Sequence, residues 1–199
     1  MTMPSAPVRT DTSSLTLTGL LGDFRLLLIL FVSFRILLAL AYEPLLLESG
    51  ERGLTVGGDR AYHYALSELS AQGDYPFQQW WSEFPPVWYT LTVGVYQMLG
   101  ANVSYGSWAL ITGLILLVCD VGNLVLMRAI GGRLHGANTG MALAWVYALL
   151  LAPVVFTWWN FDGMVTLTLL LSLWWLLQGR DTPSAVMATV GALVKFTPA

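Results

Sequence analysis

The 199-residue sequence lacks the features that would indicate a soluble enzyme or a nucleic-acid-binding protein. It has one cysteine, Cys119, so a disulfide framework within the chain is excluded. It contains no Gly-rich phosphate loop, no Cys/His spacing typical of a metal site and no Gly-x-Ser-x-Gly elbow. The net charge is -3 and there is no block of basic residues, which excludes the charge pattern of a nucleic-acid-binding protein. We therefore predict no cofactor, no bound metal and no nucleic-acid partner.

Hydrophobic residues are abundant instead. They make up 56% of the sequence, against 11% for charged residues, and the mean hydropathy is +0.64. These values lie outside the range of soluble domains and are typical of proteins that cross a membrane several times. The composition predicts an all-α fold, a polytopic bundle of transmembrane helices in a lipid bilayer.

The N-terminal region allows two interpretations. Residues 1–18 are predicted to be a polar cytoplasmic tail, and an apolar run over 26–38 follows. Ala39-Leu40-Ala41 ends that run and is acceptable to a signal peptidase, so a cleaved signal peptide is one alternative. Arg35 interrupts the run and several more hydrophobic segments follow it, which favours an uncleaved anchor helix.

The length and flanking charge of each hydrophobic segment predict the topology. Crossing about 30 Å of hydrocarbon takes roughly 20 helical residues. The run over 87–99 is too short and follows two prolines, so we predict an interfacial helix there. With this choice Arg9, Arg128, Arg133 and Arg180 all fall inside, while the acidic loop and Asp162 fall outside, which agrees with the positive-inside rule. The predicted spans are 24–42, 106–127, 140–157, 163–178 and 184–199.

This topology makes residues 19–199 a single transmembrane domain with a helical outer loop over 43–105. The chain stops at Thr197-Pro198-Ala199 without a polar tail, which predicts a fragment of a longer protein. The outer loop is the expected location of any chemistry, because residues 43–86 hold seven of the twelve carboxylates. A helix is predicted over 60–72, with Gly73 as its C-terminal cap. Its predicted apolar stripe consists of Tyr62, Ala65, Leu66 and Leu69.

Asp59, at the start of this helix, is the candidate catalytic residue. As a general base at the boundary between water and lipid, it would accept a proton from a substrate hydroxyl. The alternative is a helix N-cap, a common use of Asp after Gly. His63 lies four residues further on the same helix face, where it would orient Asp59 or contact a substrate. Its alternative is a histidine whose hydrogen bonds are satisfied within the protein.

Three further charged residues are candidates for binding a substrate. Glu83 precedes Phe84 and two prolines, which fix the direction of the chain; its alternative is a solvated carboxylate. Asp162 lies in a hairpin on the predicted outer face, where it would otherwise cap a helix. Lys195 is predicted to approach the same outer face as Asp162, where it is either a phosphate contact or a lysine that reaches to the membrane surface.

Two charges lie inside predicted spans. Arg35 and Asp120 would each cost about 2.5–3.5 kcal/mol if left unpaired at the centre of a membrane helix. Counted from the predicted inner ends, they lie about 16 Å and about 12 Å deep. We predict a structural ion pair between the first two spans.

Several motifs, in this order, resemble those of the GT-C superfamily of integral-membrane glycosyltransferases. The resemblance is closest to the polyprenyl-phosphate-mannose-dependent branch, glycosyltransferase family 87, and runs from about residue 20 to the end, the N-terminal half of such an enzyme. The motifs are Asp59 after the first membrane helix, Gly73-Asp74-Tyr75-Pro76-Phe77, Glu83-Phe84-Pro85-Pro86, Asn160-Phe161-Asp162-Gly163 and Gly191-Ala192-Leu193-Val194-Lys195-Phe196-Thr197-Pro198.

The resemblance implies transfer of a sugar, mannose or similar, from a polyprenyl-phosphate donor to a hydroxyl of a glycan or glycolipid acceptor. Transfer would invert the anomeric centre and take place on the non-cytoplasmic face, with a prokaryotic plasma membrane as the expected location. By this likeness Asp59 is the base and Lys195 stabilises the departing lipid phosphate. The remaining substrate-binding residues would be Arg60, Tyr62, His63, Glu83 and Asp162. Gly57 stands where some relatives carry a second acid, which weakens the case for a divalent metal and leaves metal dependence open.

Two other classes of function remain open on the sequence. A transporter or flippase would also carry intramembrane charges, but it is expected to show internal repeats and acids near the membrane midplane. The third class is a noncatalytic membrane protein, in which Asp59 would be dispensable.

Overall fold

The structure of the protein is a computed structural model that describes residues 16–41, 58–100, 102–150, 158 and 160–196. Within these ranges the regular structure is helical, as the composition predicts. The helices are α1 (Leu17–Gly22), α2 (Phe24–Ala41), α3 (Gly58–Glu68), α4 (Pro86–Leu99), α5 (Tyr105–His135), α6 (Ala137–Leu149), α7 (Asp162–Leu176) and α8 (Asp181–Val194).

Two of these helices, α2 and α5, are long and apolar enough to cross a membrane. They contain 18 and 31 residues, equivalent to about 27 Å and about 46 Å. They match the predicted spans over 24–42 and 106–127, although α5 continues to His135. The other three predicted spans contain helices of 13, 15 and 14 residues, and parts of them, 151–157 and 197–199, lie outside the described residues. Crossing the membrane at these three segments stays a prediction.

The predicted helix of the outer loop begins at Gly58, two residues earlier than expected, and continues as a 3₁₀ turn over Leu69–Gln72. Gly73 ends it with a φ of 91°, and its N–H donates to two carbonyls of that turn. The predicted glycine cap is confirmed, because this left-handed conformation suits a residue without a Cβ.

The predicted apolar stripe of α3 is only partly correct. Tyr62 and Ala65 are exposed, whereas Leu66 and Leu69 are half-buried and Leu66 packs on the buried cluster that contains Trp88. The fully buried residues of α3 and the 3₁₀ turn are polar: Arg60, His63, Ser67 and Ser70. Each finds aromatic or backbone contacts: for example, the Ser67 hydroxyl donates to the His63 carbonyl at 2.7 Å. The neighbouring elements, rather than hydrophobicity alone, therefore decide which face of α3 is buried.

Helix α4 runs antiparallel along the first half of α5. Near its start, Trp88 shares a buried cluster with Leu116 of α5. One turn later the Thr92 carbonyl accepts a 3.1 Å hydrogen bond from Trp108 Nε1, and Tyr96 packs on Trp108 near the beginning of α5. The predicted interfacial segment is thus a helix packed lengthwise on α5, and its depth in a bilayer stays a prediction.

The α5–α6 hairpin depends on close backbone contact. Gly136 makes the turn with a φ of 90°. A Cβ on Gly140 would collide with the Arg128 carbonyl oxygen and lie 2.7 Å from the Gly132 nitrogen. At the same end, Arg133 Nη2 donates to the Leu177 carbonyl at 2.9 Å, which aligns the ends of α5 and α7.

The predicted ion pair between Arg35 and Asp120 is confirmed. Arg35 Nε lies 2.6 Å from Asp120 Oδ2, and the two side chains are 1% and 3% exposed. Helix α5 continues beyond residue 127, and Asp120 lies about 22 Å from His135 along it. The depth of the pair in a bilayer stays a prediction.

Candidate functional site

The start of α3, the loop before α4, the start of α7 and the end of α8 meet around a cluster of aromatic rings. One side of the cluster holds an open concavity of about 550 Å³. Three predicted site residues line it, Asp59, Tyr62 and Glu83. Trp81 and Ser82, which were not predicted, complete the lining. Two carboxylates from separate segments therefore share one hollow that solvent can reach.

Asp59 lies in the first turn of α3 and is exposed. Because the helix begins at Gly58, Asp59 is inside it, and the N-cap position falls on Gly57, outside the described residues. The helix dipole stabilises a carboxylate at this end. Asp59 is thus held by a helix while it faces the concavity.

Hydroxyl groups form the floor beside the two carboxylates. The Tyr62 hydroxyl lies 3.5 Å from Ser82 Oγ, which is hydrogen-bonded to the Tyr89 hydroxyl. Burial raises the pKa of Tyr89 to about 12, so its phenol stays protonated. The concavity therefore combines two proton acceptors with groups that can donate hydrogen bonds.

His63 lies directly behind the concavity and is only 1% exposed. Its ring centroid is 5.4–5.8 Å from those of five neighbours: Tyr62, Phe84, Trp88, Tyr89 and Phe161. Burial lowers the pKa of His63 to about 4, although Asp59 acts in the opposite direction. Neither ring nitrogen has a hydrogen-bond partner among the described residues. His63 is neutral at pH 7, so it can exchange hydrogen bonds with a ligand but cannot offer a phosphate a positive charge.

Asp162 and Lys195 form an ion pair beside the same rings. Lys195 Nζ is 2.6 Å from Asp162 Oδ1, 5.4 Å from the Phe161 ring centroid and 6.0 Å from that of Phe84. The prediction that Asp162 and Lys195 converge is confirmed. The side chain of Lys195 is 33% exposed and that of Asp162 is 54% exposed, so the pair contributes about 0–1 kcal/mol. Such a weak pair can exchange for another anion.

Arg60 points away from the concavity, although it was predicted to bind substrate. It is 3% exposed, and its Nε donates to the Tyr105 hydroxyl at 2.5 Å. Arg60 therefore joins α3 to the start of α5, and Lys195 is the predicted cation that lies beside the aromatic cluster.

Residue-by-residue reasoning missed the aromatic and hydroxyl parts of the site. Trp81 and Ser82 complete the lining of the concavity, and the buried Tyr89 hydrogen-bonds to Ser82 from behind it. Trp88 stacks on Phe161 with centroids 4.6 Å apart. The density of aromatic residues over 75–89 was the available signal, but sequence spacing alone does not show that these rings point toward one another.

No three His, Cys, Asp or Glu side chains come together as a possible metal site within the described part of the chain. Comparison with known proteins finds no matching family model, no similar curated protein and no similar solved structure.

Proposed function

We propose that the protein is a membrane glycosyltransferase that moves a sugar from a polyprenyl-phosphate donor to an acceptor hydroxyl. The observation that carries the proposal is the meeting of exposed carboxylates, Asp59 and Glu83, with the cation Lys195 around one aromatic cluster. A base, a phosphate-binding cation and flat apolar surfaces are the groups that such a donor and acceptor require.

The depth of this cluster suits a lipid-linked substrate. Helix α7 runs 15 residues from Asp162, or about 22 Å, toward the end that contacts Arg133. If that end lies at the inner boundary of a core about 30 Å thick, Asp162 lies about 8 Å below the outer boundary. A phosphate at the head of a polyprenyl chain would enter the protein by about 8 Å to reach Lys195, while the chain itself stays in the bilayer.

In the proposed reaction, the oxygen of the acceptor hydroxyl attacks C1 of the sugar, and Asp59 accepts the proton of that hydroxyl. The bond between C1 and the phosphate oxygen breaks, and its electron pair leaves with the polyprenyl phosphate. Attack from the face opposite the leaving group inverts the anomeric centre. Lys195 exchanges its contact with Asp162 for the departing phosphate, and the Tyr62 hydroxyl, which lines the concavity, orients the sugar, while the buried His63 supports the wall behind it.

The proposal is tested with membranes that contain the protein and a panel of radiolabelled polyprenyl-phosphate hexoses. We expect transfer of label to a glycan or glycolipid acceptor with at least one donor. Lys195→Met should raise the donor KM about 10- to 100-fold, the effect of losing a charged hydrogen bond, while Lys195→Arg should retain most of the affinity. Movement of an intact donor across sealed vesicles, without transfer, would instead establish a flippase and refute the proposal.

A further inference from the structure

Two hydrogen bonds flank Phe161 and Asp162, which the start of α7 brings into the site. On one side, Trp158 Nε1 donates to the Arg35 carbonyl at 3.2 Å. On the other, Asn123 Nδ2 donates to the Gly163 carbonyl at 2.9 Å. Arg35 and Asn123 therefore anchor Trp158 and Gly163.

The two anchors belong to one buried cluster. Arg35, which supplies the first carbonyl, forms the 2.6 Å ion pair with Asp120, three residues before Asn123 on α5. The Tyr147 hydroxyl donates to Asp120 Oδ1 and lies within hydrogen-bonding reach of the Asn123 side chain. These contacts join helices α2, α5 and α6 close to Trp158 and to the start of α7.

The amide of Asn123 is costly at this position. Its side chain is 0% exposed, and its Oδ1 has no hydrogen-bond partner among the described residues. A buried acceptor left unpaired lowers stability, and a leucine of similar size would avoid that cost. The bond that Nδ2 donates to Gly163, together with the contact between this amide and the Tyr147 hydroxyl, is the physical reason for an amide here.

We propose that Asn123 is a positioning residue of the site, and that it acts through the first turn of α7. By holding Gly163, it keeps Asp162 at Lys195 and keeps the Phe161 ring stacked on Trp88 at 4.6 Å. The ion pair of Arg35 and Asp120 then has a role beyond neutralising two buried charges, because it supports the cluster that holds the start of α7. The inference concerns the same site as the proposed glycosyl transfer, but it rests on the contacts of Asn123 and needs no substrate.

Lys195 supplies a direct measurement, because it is the only lysine in the 199 residues. A water-soluble amine reagent will modify Lys195 and the N-terminal amine, and mass mapping separates the two. When Asp162 is held against Lys195, the ammonium group is paired and reacts slowly. The rate of Lys195 modification at fixed pH therefore reports whether the start of α7 is in place.

The test compares the wild type with Asn123→Leu, which keeps the volume and removes the donor. We expect modification of Lys195 to become about two- to fivefold faster, the range for loss of an exposed ion pair. Trp158→Phe removes the other anchor and should act in the same direction, so the test survives if Asn123→Leu fails to fold. Thr189→Ala is the matched control on α8, since its hydroxyl bonds only to the Ala185 carbonyl, and its rate should equal that of the wild type.

An unchanged rate in Asn123→Leu, measured on folded protein below its melting temperature, would overturn the proposal, and so would an unchanged rate in Trp158→Phe if Asn123→Leu does not fold. That result would leave the proposed glycosyl transfer intact. Conversely, absence of sugar transfer would not affect the labelling rates, so failures of the two proposals are distinguishable.

Discussion

The buried pair of Arg35 and Asp120 should be the most sensitive polar contact in the protein to removal of one partner. The two charged atoms are 2.6 Å apart, both side chains are at least 97% buried, and the Arg35 guanidinium lies 3.4 Å from the Phe31 ring centroid. Water cannot reach either group to replace the lost partner. Asp120→Asn or Arg35→Met should each cost about 3–5 kcal/mol, because each leaves one buried charge uncompensated.

Replacing both partners should cost far less than either single change. Arg35→Met combined with Asp120→Leu removes both charges, and such apolar replacements of buried pairs are neutral or stabilising by about 1–4 kcal/mol. The assay is equilibrium unfolding of the purified protein in mixed micelles with increasing denaturing detergent, analysed as a double-mutant cycle. Asp181→Asn, at an exposed position in the first turn of α8, is the control and should change the free energy of unfolding by less than about 0.5 kcal/mol. Additive losses in the double variant, or single losses below about 1 kcal/mol, would refute this account of the pair.

Two further predictions concern packing and protonation. Gly140→Ala should destabilise the α5–α6 hairpin by about 1–3 kcal/mol in the same unfolding assay, because its Cβ would collide with the Arg128 carbonyl. Gly132→Ala, where nothing lies within 4 Å, should be neutral or stabilising by up to about 1 kcal/mol, so equal effects of the two changes would contradict the close contact. His63 has a folded-state pKa of about 4, below its ordinary value of about 6.5, so the unfolded state binds more protons between those two values. The free energy of unfolding should be highest above about pH 6.5 and fall by up to about 3 kcal/mol as the pH drops to about 4. The His63→Leu variant should not show this pH-dependent loss. The same pH profile in wild type and variant would mean that His63 is in contact with water.

The features that could be predicted from the sequence are those for which any other arrangement would cost a large free energy. An arginine and an aspartate within apolar runs must find each other, because each is expensive alone, so the pairing of Arg35 with Asp120 followed from their positions. Gly73 was predictable as a cap for a similar reason, since few residues tolerate its backbone conformation. The convergence of Asp162 and Lys195 followed from counting helices and their directions.

Features that depend on competition between neighbours were not predictable in this way. The inward face of α3 carries His63 and Ser67 because aromatic rings from other segments surround it. The spacing of residues within α3 does not indicate those contacts. The true length of α5 exceeded its hydrophobic run because α6 packs closely beside the last turns of α5, where Gly140 meets the backbone of Arg128 and Gly132. The role of Asn123 depends on a single contact with Gly163, 40 residues away, that no local pattern indicates.

The central claim is that Asp59 acts as the general base. The most direct measurement is the initial rate of transfer from a radiolabelled polyprenyl-phosphate hexose by membranes that contain the wild type, Asp59→Asn or Glu68→Gln. Glu68, exposed on the same helix and absent from the concavity, is the matched control and should retain the wild-type rate. Asp59→Asn should transfer about 10²- to 10⁴-fold more slowly at an unchanged donor KM, whereas transfer at the wild-type rate would remove Asp59 from the mechanism.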